Sequence, residues 1–171
     1  EIVVSSPYLV PGKEGMALIR EVRARDVDVV MLTNSLGATD EPVVHLGYFD
    51  YREPMLDLGV ELYEISSSLV KRNKRMNLFG ASLARLHAKL AVVDRKTIFV
   101  GSMNLDPRSA TINTELGAVI TSTELARELI RVIDIDRLQN AYRLRRSTNG
   151  HGLEWVSLAD GGETVLDEEP D

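Results

Sequence analysis

The sequence predicts an α/β fold: a mixed, mainly parallel sheet flanked by helices and extended by a short C-terminal β meander. Three observations carry this reading. Residues 2–33 run strand, helix, strand; residues 86–100 hold two β-rich segments across a short polar link; and residues 142–166 alternate short apolar segments with tight turns. At 171 residues the chain is long enough for one domain with a real core.

Residues 2–6 and 27–33 are apolar, β-branched runs of the kind buried in a parallel sheet, and the amphipathic stretch 13–25 between them supplies a crossover helix. Polar residues gather where each strand stops: Ser5, Ser6, Pro7 and Tyr8 after the first, Thr33, Asn34 and Ser35 after the second. Ligands of open α/β sheets bind outside the carboxyl ends of strands, so these residues are candidate pocket lining; simple turn chemistry accounts for each one singly just as well. Residues 40–58 read as a helix capped by Asp40 and stopped by Gly59. His45 lies there among Val43, Val44, Leu46 and Tyr48, the setting of a packed structural His. After a third strand at 60–65 comes a Ser- and Gly-rich stretch, 66–85, with Lys71, Arg72, Lys74, Arg75 and Arg85. It is either a basic loop for anionic headgroups and phosphate or a solvated one.

Residues 86–93 and 97–100 are dominated by apolar and β-branched side chains, and the Asp94-Arg95-Lys96 link makes them a β-hairpin. Strand alternation then puts His87 and Lys89 on one face and Leu86, Ala88, Leu90 and Val92 on the buried one. An imidazole beside an ammonium is a poor core and a good phosphate receptor. Gly101 lets the backbone approach a bound group, Ser102 brings a hydroxyl and Asn104 two amide donors. With Lys89 these can hold the oxygens of a phosphoryl group under displacement. Glu115 opens the next apolar run, 116–120, and an acid entering a buried strand needs a partner such as an imidazole N–H. Asp94 sits in the hairpin turn, where Asp bonds nearby backbone, so its role is structural.

Residues 116–120 are read as a sheet strand and 122–141 as a helix whose Leu125, Leu129, Val132, Ile133 and Leu138 form a core stripe. The meander follows, with turns at 149–152 and 160–162. His151 lies between two glycines and is expected to face solvent; Trp155, the sole Trp, is expected to pack the meander onto the body.

The pattern His87-x-Lys89-x4-Asp94, then Gly101-Ser102-x-Asn104, then Glu115, resembles the HKD signature of the phospholipase D superfamily. The run Asn104-Leu105-Asp106-Pro107-Arg108-Ser109 with Asn113-Thr114-Glu115 is similar to the cardiolipin synthase branch. The resemblance implies a phospholipase D-like fold and metal- and cofactor-free phosphodiester chemistry through a phosphohistidine. In it His87 attacks phosphorus, Lys89, Ser102 and Asn104 bind phosphate oxygens, and Glu115 orients His87. A second motif His protonates the leaving alcohol and activates the acceptor; imidazole is competent for all these steps near neutral pH. The run from Asn34 to Asp40, with His45 and Tyr48, looks like the same branch, which makes Asn34 and His45 candidate substrate contacts.

One signature is present, and His45 has no Lys two residues on. A lone His87 cannot attack phosphorus and also stand behind it, so a second signature is expected, from an N-terminal half of the same protein or from a homodimer mate. The first residue, not Met, and the end at Pro170-Asp171 favour the C-terminal half of a longer protein. Residues 1–147 are then the catalytic half-domain and 148–171 an acidic meander and tail, and the fragment alone is expected to have little activity.

The charge is unevenly spread. Residues 1–147 hold all twenty Lys and Arg against nineteen Asp and Glu, +1, and the rest hold seven acids, giving the net −6. A near-neutral body disfavours a nucleic-acid enzyme. There is no Cys, hence no disulfide or thiolate site, and no apolar run of membrane-span length. The expected activity is phosphatidyl transfer on phospholipids, with peripheral contact of the parent protein to a bacterial membrane. The alternatives are a metal-independent nuclease or phosphodiesterase, and a catalytically silent half kept for dimerisation or binding.

Overall fold

The computed structural model describes residues 1–72, 86–148, 150, 152–157 and 162–170. Fourteen elements follow in chain order: β1 (Ile2–Ser5), α1 (Gly12–Arg23), β2 (Val29–Asn34), α2 (Pro42–Asp57), β3 (Glu61–Ile65), α3 (Ser67–Arg72), β4 (Leu90–Val93), β5 (Thr97–Gly101), α4 (Pro107–Thr111), β6 (Gly117–Thr121), α5 (Thr123–Gln139), β7 (Ala141–Arg146), β8 (Leu153–Ser157) and β9 (Thr164–Leu166). The strands form one sheet in the order β6-β5-β4-β1-β2-β3-β7-β8-β9.

The α/β class is as expected, but the sheet is not mainly parallel. Only β1 with β2 and β2 with β3 pair parallel; the other six pairings are antiparallel. Parallel pairing ends at β3, because the α5 crossover carries the chain from β6 to β7, which pairs antiparallel with β3. The link 94–96 and the turns of the tail are too short for a crossover and join antiparallel neighbours. The expected meander forms as β7, β8 and β9, and it continues the main sheet through β3.

Side-chain alternation divides the core into two faces. Val29, Met31 and Leu62 pack with Met16 and Ile19 of α1 and with Tyr48 and Met55 of α2, while Val30, Leu32 and Tyr63 pack with Ile133 of α5. Trp155 is buried in the first cluster, so it does join meander to body. Of the expected α5 stripe, Ile133 is buried and Leu129 packs partly, but Leu125, Val132 and Leu138 are about half exposed, because the face that α5 packs inward is that of Ala126, Leu129, Ile130 and Ile133. β6 is an edge strand and largely exposed rather than buried; Val119 is 71% accessible. The turn at 149–152 contains Asn149 and His151, which lie outside the described residues, as do 73–85 of the basic stretch.

Candidate functional site

The pairing pattern collects the site. Because β1, β2 and β3 are parallel, their carboxyl ends share one edge. β4 runs antiparallel to β1, with Leu90 opposite Ser5, so the residues just before β4, His87 and Lys89, arrive at that edge. β5 returns to it and delivers Ser102 and Asn104, and β6 starts there two residues after Glu115. All five residues of the proposed catalytic set therefore meet at one end of the sheet, beside Tyr8 and Asn34.

Regular strand begins only at Leu90, so residues 86–89 are not part of the ladder as expected. Ala88 is exposed and His87 is exposed. The segment is held by other means. Asn34, the last residue of β2 and 1% accessible, accepts from Leu86 N at 2.9 Å and donates to Leu86 O at 3.1 Å. Gly101 N donates to Lys89 O at 3.1 Å. His87 is thus fixed through its neighbours on both sides. Asn34, expected as a substrate contact, spends both atoms of its amide on protein backbone.

Lys89 Nζ donates to the His87 carbonyl at 2.9 Å. Burial pulls this ammonium below its ordinary pKa, against the attraction of Asp40 and Glu115. The Ser102 hydroxyl reaches the Glu115 carboxylate in a short hydrogen bond and accepts from Leu116 N at 3.0 Å. Asn113 Nδ2 donates to the other Glu115 oxygen at 3.2 Å. In place of the expected Glu115–His87 pair Glu115 has these two partners, Ser102 across the β5–β6 pairing and Asn113 on its own segment; the His87 ring makes no hydrogen bond among the described residues. Asn104 Oδ1 is buried without a partner and can only accept, so toward phosphate oxygens this side chain offers the donors on Nδ2.

Gly101 was expected to admit a ligand, but its neighbour is protein. A Cβ there would stand 2.5 Å from Leu116 O and 2.9 Å from the Gly117 Cα, so glycine is needed for β5 and β6 to meet, with the Phe99 ring lying over the pair. Asp94 occupies the left-handed region of the hairpin turn at φ 49, followed by Arg95 at φ 52; its N–H donates to Glu1 O and its carboxylate accepts from the Glu1 amino group at 2.9 Å, where the expected partner was nearby backbone.

Asp40 does not cap α2, whose N-cap is Glu41. It accepts instead from the Tyr8 hydroxyl at 2.9 Å, and burial together with this carboxylate pushes Tyr8 up to about 12. Ser6 ties this loop to the Asn104 loop, its hydroxyl accepting from Leu105 N at 3.1 Å and donating to Tyr8 O at 2.7 Å.

His45 is buried, as its apolar setting implied, but in a charged cluster that the sequence reading missed. Its Nε2 lies 2.8 Å from Glu169 Oε1 and 2.8 Å from Arg52 Nη2, and serves one as donor or the other as acceptor according to tautomer. Arg52 also contacts Glu64, 2.9 Å away and wholly buried, which accepts from Trp155 Nε1 at 2.8 Å. The guanidinium lies over Phe49 and Tyr48, at 4.4 Å and 4.7 Å from their centroids. A carboxylate inside the apolar run of β3 and an Arg on the buried side of α2 were the signal, since neither is buried without a partner. Among the described residues no group of three or more His, Cys, Asp or Glu is placed to hold a metal ion.

The family model described as "Cardiolipin synthase, PLD-like domain" matches residues 1–137. Cardiolipin synthase C of Escherichia coli (strain K12) is 39% identical over 175 residues, covering 99% of this chain and 36% of the relative; the chain thus spans about a third of that protein's length. Among solved structures, phosphatidylserine synthase of Haemophilus influenzae Rd KW20 superposes with a TM-score of 0.64 at 15% identity, over 88% of this chain and 35% of that one. Nuc of Salmonella typhimurium, a phospholipase D family member, gives 0.59 at 21% identity, over 84% and 81%. At these identities the structures support the fold alone.

Proposed function

The chain belongs to the cardiolipin synthase, PLD-like domain family, and from that premise we propose that it forms one half of a phosphatidyl transferase that works through a phosphohistidine on His87. The observation that carries the reading is the meeting at one end of the sheet of His87 and Lys89, from the segment before β4, with Ser102 and Asn104, from the segment after β5, the imidazole being exposed.

The chemistry divides into two displacements. A ring nitrogen of His87 attacks the phosphorus of a phospholipid; the P–N bond forms as the P–O bond to the departing alcohol breaks, and that oxygen takes a proton from a second His. The acceptor hydroxyl then gives its proton to the same second His and attacks phosphorus, the P–O bond forming as P–N breaks. Lys89 and Asn104 face the phosphoryl oxygens, whose charge redistributes during both steps. Glu115 acts as a positioning residue: it holds the Ser102 hydroxyl and attracts the Lys89 ammonium. The second His comes from another half, in the same parent protein or a second copy, and this explains why the His87 ring is open to solvent here. Among the described residues no helix is long and apolar enough to cross a membrane.

The test is turnover by the full-length parent presented with phosphatidylglycerol in vesicles. Headgroup release or formation of a diphosphatidyl product, abolished by His87→Ala, is the expected result. Undiminished lipid turnover in His87→Ala, or cleavage of single-stranded DNA with no action on lipid, rejects the reading.

A further inference from the structure

A groove of about 380 Å³ opens directly beside Asn104, between the start of α1 and α4. Its walls are Val10, Pro11, Met103, Leu105, Pro107 and Ala110. The walls are braced against each other: Val10 N donates to Leu105 O at 2.7 Å, Leu9 and Leu105 form a parallel bridge, and Asp106 caps α4 by accepting from Ser109 N at 2.9 Å. Gly12, at φ 64, turns the chain into α1 where a Cβ would stand 3.5 Å from the Pro107 ring. The groove is therefore preformed, and its size falls within the range of small-molecule sites. Met103 on its wall is 36% accessible, and Ile112, just beyond α4, is 75% accessible.

The occupant follows from the lining. Among the described residues no aromatic ring lines this groove, and the one cation, Lys13, is offset by Glu14 and Asp106; a nucleotide would call for stacking rings and a positive track. Asn104 belongs to both the groove and the phosphate site, so a molecule whose phosphate lies at His87 reaches the groove with the part attached to that phosphate. We infer that this groove receives the carbonyl-proximal segment of one acyl chain of the diacyl phospholipid attacked by His87. The inference rests on the functional reading above and deepens it: donors at the sheet edge hold the phosphate, and the α1–α4 groove selects the lipid over other diesters.

The experiment uses the full-length parent with two substrates, dioleoyl phosphatidylglycerol in vesicles and bis(p-nitrophenyl) phosphate, which has no acyl chain. Ala110→Phe fills the groove and Met103→Glu places a charge at its mouth. Each is expected to raise KM for the lipid at least tenfold more than for the acyl-free diester. In parallel, phosphatidylglycerol carrying a diazirine near the acyl carbonyl is expected to label peptides covering residues 10–15 and 103–111. Equal losses on both substrates in both variants, or labelling confined to other segments, overturns the inference. A wild-type parent that hydrolyses the small diester and leaves phosphatidylglycerol untouched rejects the functional reading instead.

Discussion

Asn34 grips Leu86 from both sides, its Oδ1 accepting from Leu86 N at 2.9 Å and its Nδ2 donating to Leu86 O at 3.1 Å. The residue after Leu86 is His87, so a fully buried amide on β2 sets where the exposed imidazole stands.

Asn34→Ala therefore strands two backbone groups and frees the segment. The expected cost is about 1–3 kcal/mol of stability, measured by urea unfolding. In the parent enzyme kcat is expected to fall, by up to about a hundredfold if His87 shifts by an ångström, with KM little changed. A variant that loses stability but keeps kcat would show that Asn34 only packs.

Arg52 joins the buried Glu64 to Glu169 of the tail. Arg52→Met leaves Glu64 as an unpaired buried carboxylate and is expected to cost about 3–5 kcal/mol. Arg52→Met with Glu64→Gln should recover a large part of that loss. Unfolding followed by Trp155 fluorescence reads the cluster directly, since Trp155 Nε1 donates to Glu64.

How much of this was legible in the sequence depends on whether the signal was local. The hairpin, the strand–helix–strand start and the Gly59 stop were readable because turn chemistry and periodicity lie within a few residues. The motif residues were readable as a set, because register gathers at one edge whatever is placed at the strand ends. Their mutual bonds were not. Glu115 turned to Ser102 rather than His87, and Asp40 turned to Tyr8 rather than its own helix, choices made by distances between segments. The Arg52–Glu64–Glu169 cluster spans 117 positions of chain, and no local pattern reports such a pairing.

Glu154 supplies the pH dependence of the meander. It accepts from Thr148 N, Arg145 and Ser147, and these bonds hold its carboxyl down at about 2. An unfolded Glu titrates near ~4.3, so the folded state holds fewer protons between those values. The stabilisation is complete above the unfolded value and is lost as pH falls toward about 2. Thermal unfolding from pH 6 to pH 2 is expected to show a shallower decline for Glu154→Gln than for the wild type. Parallel declines would remove Glu154 as the source.

Gly101→Ala places a methyl group against the Leu116 carbonyl, which is backbone and cannot step aside. The variant is expected to lose about 1–3 kcal/mol, and hydrogen exchange should quicken at Ser102, whose N–H donates to Leu116 O. Unchanged exchange there would mean that β6 accommodates the methyl by moving as a unit.

The most direct measurement of the central claim is rapid-quench trapping in the full-length parent, with phospholipid labelled at phosphorus. The account predicts an acid-labile, alkali-stable label on the peptide containing His87 within one turnover, absent in His87→Gln. Lipid turnover with no phosphorus on that peptide at any quench time would contradict it.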